Sequence, residues 1–302
     1  MATDLSTAPA RDEGSPARVA SPTIHRRRLR PSKVALVGSL AVVGLVMLFP
    51  ALWVLTTAFA PRTEQASGAI IPAALSLYNF HFLFSLPANE YPVLRWLENS
   101  IGVSAVAAVA VAAIDSLAAF ALARLNFRGQ KVMFYIVISS LMVPFIAILL
   151  PLYLEFSKLG LLNTYGALIL PYTSNAFGIF LLYQFFRAVP QELQDAAVAD
   201  GATRFDLWRK IFLPLSLSIT VTLALLTFMN VYNDFFWPLV STSSASMRTI
   251  TVGIELTTVG QYTTNYTALM ALTVFSVIPM LLAFVFAQRR LVEGISFAGI
   301  TG

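Results

Sequence analysis

Apolar residues in this chain come in long blocks and do not alternate. Val34–Ala58, Ser100–Ala123, Val132–Leu154, Tyr165–Phe186, Ile211 to about Phe236 and Ala268–Gln288 are the main runs. Each is close to or above the roughly 20 residues that a helix rising ~1.5 Å per residue needs to cross about 30 Å of hydrocarbon. The pattern predicts an all-α integral membrane protein with six transmembrane helices. The alternative, buried core helices of a soluble fold, conflicts with the composition. With 57% hydrophobic and only 12% charged residues, the chain is far from the roughly 25% charge of soluble domains and has too little polar surface to solvate such a fold.

Residues 1–33 are rich in Ala, Ser, Pro and Arg and poor in large apolar side chains. A segment of this kind cannot bury enough surface to fold, so a disordered cytoplasmic tail is expected, followed by a six-span domain over 34–302. HRRRLRPSK before the first run superficially resembles a cleaved signal peptide. The run is too long for such a peptide and starts too far into the chain, which makes it an uncleaved first span.

Charge sets the expected orientation. With the N-terminus inside, the inner segments hold seven Lys/Arg up to Lys33. They also hold Arg124, Arg128 and Lys131, then Arg187, Arg204, Arg209 and Lys210, then Arg289 and Arg290, sixteen of the chain's twenty. Only Arg62, Arg95, Lys158 and Arg248 fall outside. Basic residues near span ends are retained on the cytoplasmic side, so both termini are expected there. The net charge of +5 follows from these flanks, and no groove-sized basic patch points to nucleic acid. The lipid bilayer is the surface these bases face.

Little in the chain could carry out a reaction. Cysteine is absent and the two histidines are His25 and His81, in the tail and the first outer loop. They cannot assemble a metal site. No G-x-x-x-x-G-K-[ST] loop or G-x-S-x-G elbow occurs, so the chain neither binds nucleotide through a P-loop nor carries a hydrolase nucleophile, and any energy must come from elsewhere. Within the spans Asp115 stands out, since a central carboxylate costs about 2.5–3.5 kcal/mol on insertion scales. It reads either as a pathway or coupling residue or as a buried interhelical hydrogen bond. The fifth span ends in Asn230-Val-Tyr-Asn-Asp-Phe-Phe-Trp-Pro238. There Asn230, Tyr232, Asn233 and Asp234 form either a contact surface for a sugar or an interfacial aromatic belt. Met142-Val-Pro144 and Leu150-Pro151 predict kinks in the third span.

One polar stretch lies between the fourth and fifth runs: QELQDAAVADGATRFDLWRKIFLP, Gln191–Pro214. Good helix formers fill Glu192–Ala199, Gly201 interrupts them, and Thr203-x-x-Asp206 can cap a second helix that carries Phe205, Trp208 and Phe212 on one stripe. Arg204, Arg209 and Lys210 fall largely off that stripe. Ala196, Ala197, Gly201 and Ala202 present almost no side chain, so a partner's cleft could approach the backbone closely, with Asp195 and Asp200 at its rim. A plain amphipathic loop on the membrane surface is the other reading.

The spacing Asp195-Ala-Ala, three residues, Gly201, nine residues, Ile211-x-Leu213-Pro214 resembles the EAA motif of permease subunits of bacterial ATP-binding-cassette importers. The longer string VPQELQDAAVADGATRFDLWRKIFLPL, with YNDFFWPL and the terminal QRRLVEGISFAGITG, is similar to the carbohydrate branch of maltose-permease type. The similarity covers most of residues 34–302. Four departures stand out: Asp195 replaces the usual Glu, Ser218 stands where many relatives have a second proline, Tyr232 holds the place of a usual Trp, and the tail lacks the usual terminal Lys-Gly. The resemblance implies a type I importer permease fold and a carbohydrate cargo. It also implies that the chain has no cofactor of its own, with ATP-Mg held by two partner ATPase subunits. A second, homologous permease and an extracytoplasmic solute-binding protein would complete a complex in the bacterial inner membrane. In that family the motif, within a coupling segment at 191–210, docks into the ATPases, which assigns this role here to Asp195, Ala196, Ala197, Asp200, Gly201, Ala202, Phe205, Ile211, Leu213 and Pro214. The competing readings are a stand-alone secondary transporter, which would need no polar segment of this kind and would use intramembrane charge, and a membrane-embedded enzyme, which lacks a paired acid and base.

The orientation is directly testable because single cysteines can be introduced into a cysteine-free chain. His81→Cys should react with an impermeant external reagent and Arg204→Cys only after the membrane is opened. External labelling at position 204 would overturn the assignment.

Overall fold

The computed structural model describes residues 31–61, 63, 72–259 and 265–298, and every regular element among them is helical. Most of the expected tail, and the chain's last four residues, lie outside the described residues. The chain divides within its first helix into two units, Met1–Phe49 and Pro50–Gly302; all packing described below is internal to the second.

In chain order the helices begin with α1 (Pro31–Ala58), α2 (Tyr78–Ser85), α3 (Val93–Arg124), α4 (Gln130–Ser140) and α5 (Phe145–Lys158). Next come α6 (Tyr165–Ile169), a 3-10 turn at Leu170–Tyr172 and α7 (Ala176–Ala188). The polar stretch supplies α8 (Gln191–Ala199), α9 (Arg204–Asp206), a π turn at Leu207–Phe212 and α10 (Leu213–Leu215). The chain continues through α11 (Leu217–Asn233), α12 (Phe236–Ser241), α13 (Ile250–Val259) and α14 (Tyr266–Ala298).

Four stretches, Ala35–Ala58, Val93–Arg124, Tyr165–Ala188 and Tyr266–Phe286, are long and apolar enough to span a bilayer. Two bent pairs raise the number to six. The first pair is bent at Met142-Val-Pro144, where a kink is expected, and the second corrects the extent of the fifth span. Between α4 and α5 the axis turns by 101° at Leu141–Pro144, because Pro144 caps α5 in an extended conformation (ψ 135°) and sterically disfavours helix in the residue before it. Pro151, read as a second kink, lies inside α5. The segment Arg204–Leu215 meets α11 at 79°. Pro214 has no N–H to continue the ladder, the preceding turn widens to π, and Ser216 leaves helical geometry (ψ 7°). The fifth membrane helix therefore begins at Leu217 and not at Ile211. The short α2, α12 and α13 were not apparent as separate elements from apolar runs.

Helix α3 is the central element, packing on α7 and α11, while α11 also packs on α14. Its Ala-rich sequence favours helix intrinsically. Trp96, Asn99, Val103, Ala107, Val111, Asp115, Ala119 and Leu122 are all buried, and their three- and four-residue spacing places them on one stripe. Fully buried Ala107 and Ala119 let neighbouring backbones come close. At its N-terminal end, Trp96 Nε1 donates to the Ala245 carbonyl (2.7 Å), and Asn99 Nδ2 donates to the carbonyls of Ser246 (2.8 Å) and Arg248 (2.9 Å). Asn99 Oδ1 accepts from the Tyr165 hydroxyl at 2.7 Å. One residue thereby ties three segments distant in sequence.

Midway along α3, the carboxylate of Asp115 is fully buried. It accepts from the Ser174 hydroxyl (2.9 Å) and the Asn175 amide (3.1–3.2 Å) at the N-terminus of α7, where the helix dipole favours negative charge. Gly178 makes the close approach possible, since a Cβ there would overlap Asp115 Oδ2 and come within 2.8 Å of Leu223 Cδ2. Gly178→Val should therefore destabilise the fold by about 1–3 kcal/mol through overpacking, read as a lower melting temperature of the purified protein. An unchanged melting temperature would contradict this packing.

Candidate functional site

The polar stretch folds as a helix, a tight turn and a second helix. Helix α8 ends with Gly201 in the left-handed region (φ +85°). The Gly201 amide donates to Val198 O (3.0 Å) and the Ala202 amide to Ala197 O (2.9 Å), the paired bonds that close a helix through a left-handed residue. A side chain at this φ is strained. Thr203 then caps α9: its hydroxyl oxygen accepts from the Asp206 amide (3.1 Å) while Asp206 Oδ2 accepts from the Thr203 amide (3.2 Å), as the Thr-x-x-Asp spacing predicts.

Side-chain exposure divides the residues that the sequence grouped here. Ala196, Gly201, Asp195 and Asp200 are exposed. Ala197 and Ala202 are half-buried against the chain's own core, so they shape the turn more than they present surface. Leu193 (48% exposed), Val198 (53%) and Phe205 (57%) are large apolar side chains left open on this pair of helices. Ile211 and Leu213 are half-buried and Pro214 is exposed.

Leu207 and Phe212 bury this segment in the bundle core, and Arg124 bonds to it. Phe212 is fully buried, with its ring centroid 5.1 Å from that of Phe120 on α3 and 5.5 Å from that of Phe186 on α7. Arg124 is in the last turn of α3, and its guanidinium lies 5.0 Å from the Phe212 centroid. It donates to the carbonyls of Phe186 and Val189 and to Gln191 Oε1 at 3.0 Å. It therefore satisfies carbonyls where α7 ends and grips the first residue of α8. Sequence reasoning counted Arg124 only as a topology charge, since a basic residue in a helix's last turn is ordinary.

At the far end of α11, the four residues read as a possible contact surface also separate. Tyr232 is buried and its hydroxyl donates to the Ser276 carbonyl at 2.6 Å. Asp234 accepts from the Tyr172 hydroxyl, and from the Phe236 amide at 3.1 Å, holding the start of α12. Asn230 and Asn233 are exposed, three residues apart on one helix face, and Asn233 Nδ2 donates to Met229 O at 2.8 Å. Asp115 is separate from all of these, engaged with Ser174 and Asn175.

Arg124→Gln should free the joint between α7 and α8. Charge-assisted bonds contribute about 1.5–3 kcal/mol each, so amide hydrogen exchange over residues 187–193 should accelerate by roughly tenfold or more while α4 and α5 keep their protection. Unchanged exchange at 187–193 would mean that the guanidinium does not hold the joint.

Residues 115–297 match the protein family described as binding-protein-dependent transport system inner membrane component. The arabinooligosaccharides transport system permease protein of Halalkalibacterium halodurans is 35% identical over 87% of this chain and 94% of its own length. The trehalose/maltose transport system permease protein of Thermococcus litoralis is 29% identical over 89% and 97%. Among solved structures, a chain of a bacterial ABC transporter that imports the acidic polysaccharide alginate matches with a TM-score of 0.76. It covers 85% of this chain and 95% of that one, at 20% identity, and so speaks to the fold alone.

Proposed function

The chain belongs to the binding-protein-dependent transport system inner membrane components, and from that premise we propose that it is one half of the translocation pathway of an oligosaccharide importer, driven through Gln191–Pro214 by ATPase subunits docked there. The observation that carries this reading is the exposure of Leu193, Val198 and Phe205 on a capped helix pair fastened to the spans. Relatives named for transport of arabinooligosaccharides and of trehalose/maltose support the cargo class. A second permease of the same family would complete the pathway, and an extracytoplasmic binding protein would deliver the sugar. The coupling segment and both termini lie on the cytoplasmic side, where the basic residues concentrate, and ATP-Mg belongs to the ATPases.

Mechanically, closure of the ATPases moves Glu192–Arg209 as a lever. Phe212 lies between α3 and α7, and Arg124 joins α3 to the end of α7 and to Gln191, so displacement of the segment is passed to these helices as a body. Alternating access then requires two packed states that the ATPases bias differently. On the outer half of α11, Asn230 and Asn233 are the amides available to sugar hydroxyls, while Tyr232 and Asp234 hold that end in shape.

Gly201→Asp puts a side chain on a left-handed residue in the docking surface, and Phe205→Ala removes its largest exposed ring. Each should lower ATPase affinity by about 2 kcal/mol, roughly thirty-fold, with membrane insertion unchanged, whereas Arg204→Ala should do much less. The measurement is co-purification of the ATPase together with ATP hydrolysis stimulated by loaded binding protein. Wild-type levels of both in Gly201→Asp would remove the segment as the docking element.

A further inference from the structure

At the end of the bundle that carries the coupling segment, a cavity of about 390 Å³ opens between the start of α4 and the end of α7. Gln130, Lys131, Phe134, Tyr135, Tyr183 and Arg187 line it. Its size falls in the range of small-ligand sites, and its charge is one-sided. The Arg187 guanidinium lies 5.8 Å from the Tyr183 ring centroid and donates to the Tyr183 hydroxyl at 3.3 Å. The ion pairs among the described residues, Arg95–Glu98, Glu155–Lys158 and Asp206–Lys210, involve neither Lys131 nor Arg187. Gln130 is committed elsewhere, its Nε2 donating to Leu122 O at 2.6 Å.

A cavity near the N-terminal end of α3 provides the contrast. It is of similar size, about 360 Å³, and also contains an arginine, Arg95. There the arginine is paired with Glu98 of the same lining at 3.3 Å. The cavity beside α7 thus holds two cations and two phenol hydroxyls with no carboxylate in its lining, a donor set suited to a phosphate.

The surroundings favour a phosphate carried by lipid. Immediately beyond the cavity, α4 turns an apolar surface outward, with Val132 (63%), Met133 (52%) and Ile136 (65%) all largely exposed. Lys131 and Arg187 therefore sit where a hydrocarbon-facing helix surface meets the polar end of the bundle, the depth at which a phospholipid presents its headgroup. Acyl chains of the same molecule could run along Val132, Met133 and Ile136, which free phosphate cannot do.

We propose that this cavity binds the headgroup of an anionic phospholipid, with Lys131 and Arg187 as charge partners of the phosphate and Tyr135 and Tyr183 as hydroxyl donors. Arg187 immediately follows Phe186, whose carbonyl Arg124 holds, so a bound lipid would sit beside the joint between spans and coupling segment. That it belongs to the inner leaflet rests on the orientation proposed above; the binding itself does not.

The test uses the purified importer complex in detergent, titrated with phosphatidylglycerol or phosphatidylcholine and read by native mass spectrometry. Wild type should retain phosphatidylglycerol preferentially, and inorganic phosphate should compete weakly. Two surface cations account for roughly a thirty-fold loss of retention in Lys131→Gln/Arg187→Gln, whereas Lys131→Arg/Arg187→Lys, which keeps the charge, should bind as wild type does and shows that the sites tolerate substitution. Arg204→Gln, a basic residue outside the cavity lining, should also bind normally. Equal retention of the two lipids by wild type, or undiminished phosphatidylglycerol in the Gln double variant, would overturn the proposal. Binding of inorganic phosphate without lipid preference would overturn it in favour of a free anion. Should the chain hold no ATPase, the docking assignment falls while the same titration on the purified chain still decides the lipid site.

Discussion

The geometry of this permease depends on how a polar segment is fastened to a bundle that otherwise faces hydrocarbon. The joint is the Arg124 guanidinium, placed against the Phe212 ring and bonded to carbonyls where α7 ends. A helix ending in a membrane leaves carbonyls that need partners. Arg124 supplies donors from a neighbouring helix, and its hydrogen bond to Gln191 extends the same group into α8. Phe212 adds an apolar anchor between Phe120 and Phe186. Buried Leu207, with Ala197, Ala202, Trp208 and Ile211 packed on the same core, completes the attachment of the segment.

The same economy of buried polar groups recurs along α3. Asp115 would be costly alone in a span, but its oxygens meet a hydroxyl and a backbone amide at the start of α7, and Gly178 lets the helices close around them. Asn99 and Trp96 similarly satisfy carbonyls of the loop between α12 and α13. In each case a side chain of α3 completes backbone groups at the end of another element, so α3 fixes where those elements begin and stop. The proposed lever at α8 is thereby joined to a helix that packs on α7 and α11.

The broken helices have a local cause. Pro144 and Pro214 interrupt two spans, and the bend of 79° before α11 separates Arg204–Leu215 from the membrane helix it precedes. A straight fifth span would have carried Arg204, Arg209 and Lys210 along its own axis. With the bend, these charges remain on a separate arm, exposed beside Phe205.

Much of this was determined by local sequence. Apolar runs of span length, the Thr203-x-x-Asp206 cap, the interruption at Gly201 and the spacing from Asp195 to Pro214 are each short-range signals, because helix periodicity, capping and left-handed turns act within a few residues. They sufficed to identify the class of protein and to single out the polar segment proposed to couple it to the ATPases. What they could not decide is which residues meet across the bundle. Ala196 and Ala197 are adjacent and chemically identical, yet one is open and the other turns inward. Asn233 and Asp234 are equally polar neighbours, yet only Asp234 is bonded by Tyr172, from a segment 62 positions away. Arg124 and Arg128 both read as topology charges until packing brings Phe186, Val189 and Phe212 to the first. These roles depend on contacts between distant segments, and packing at close range, where one Cβ at Gly178 would be too many, exists only once the helices have come together.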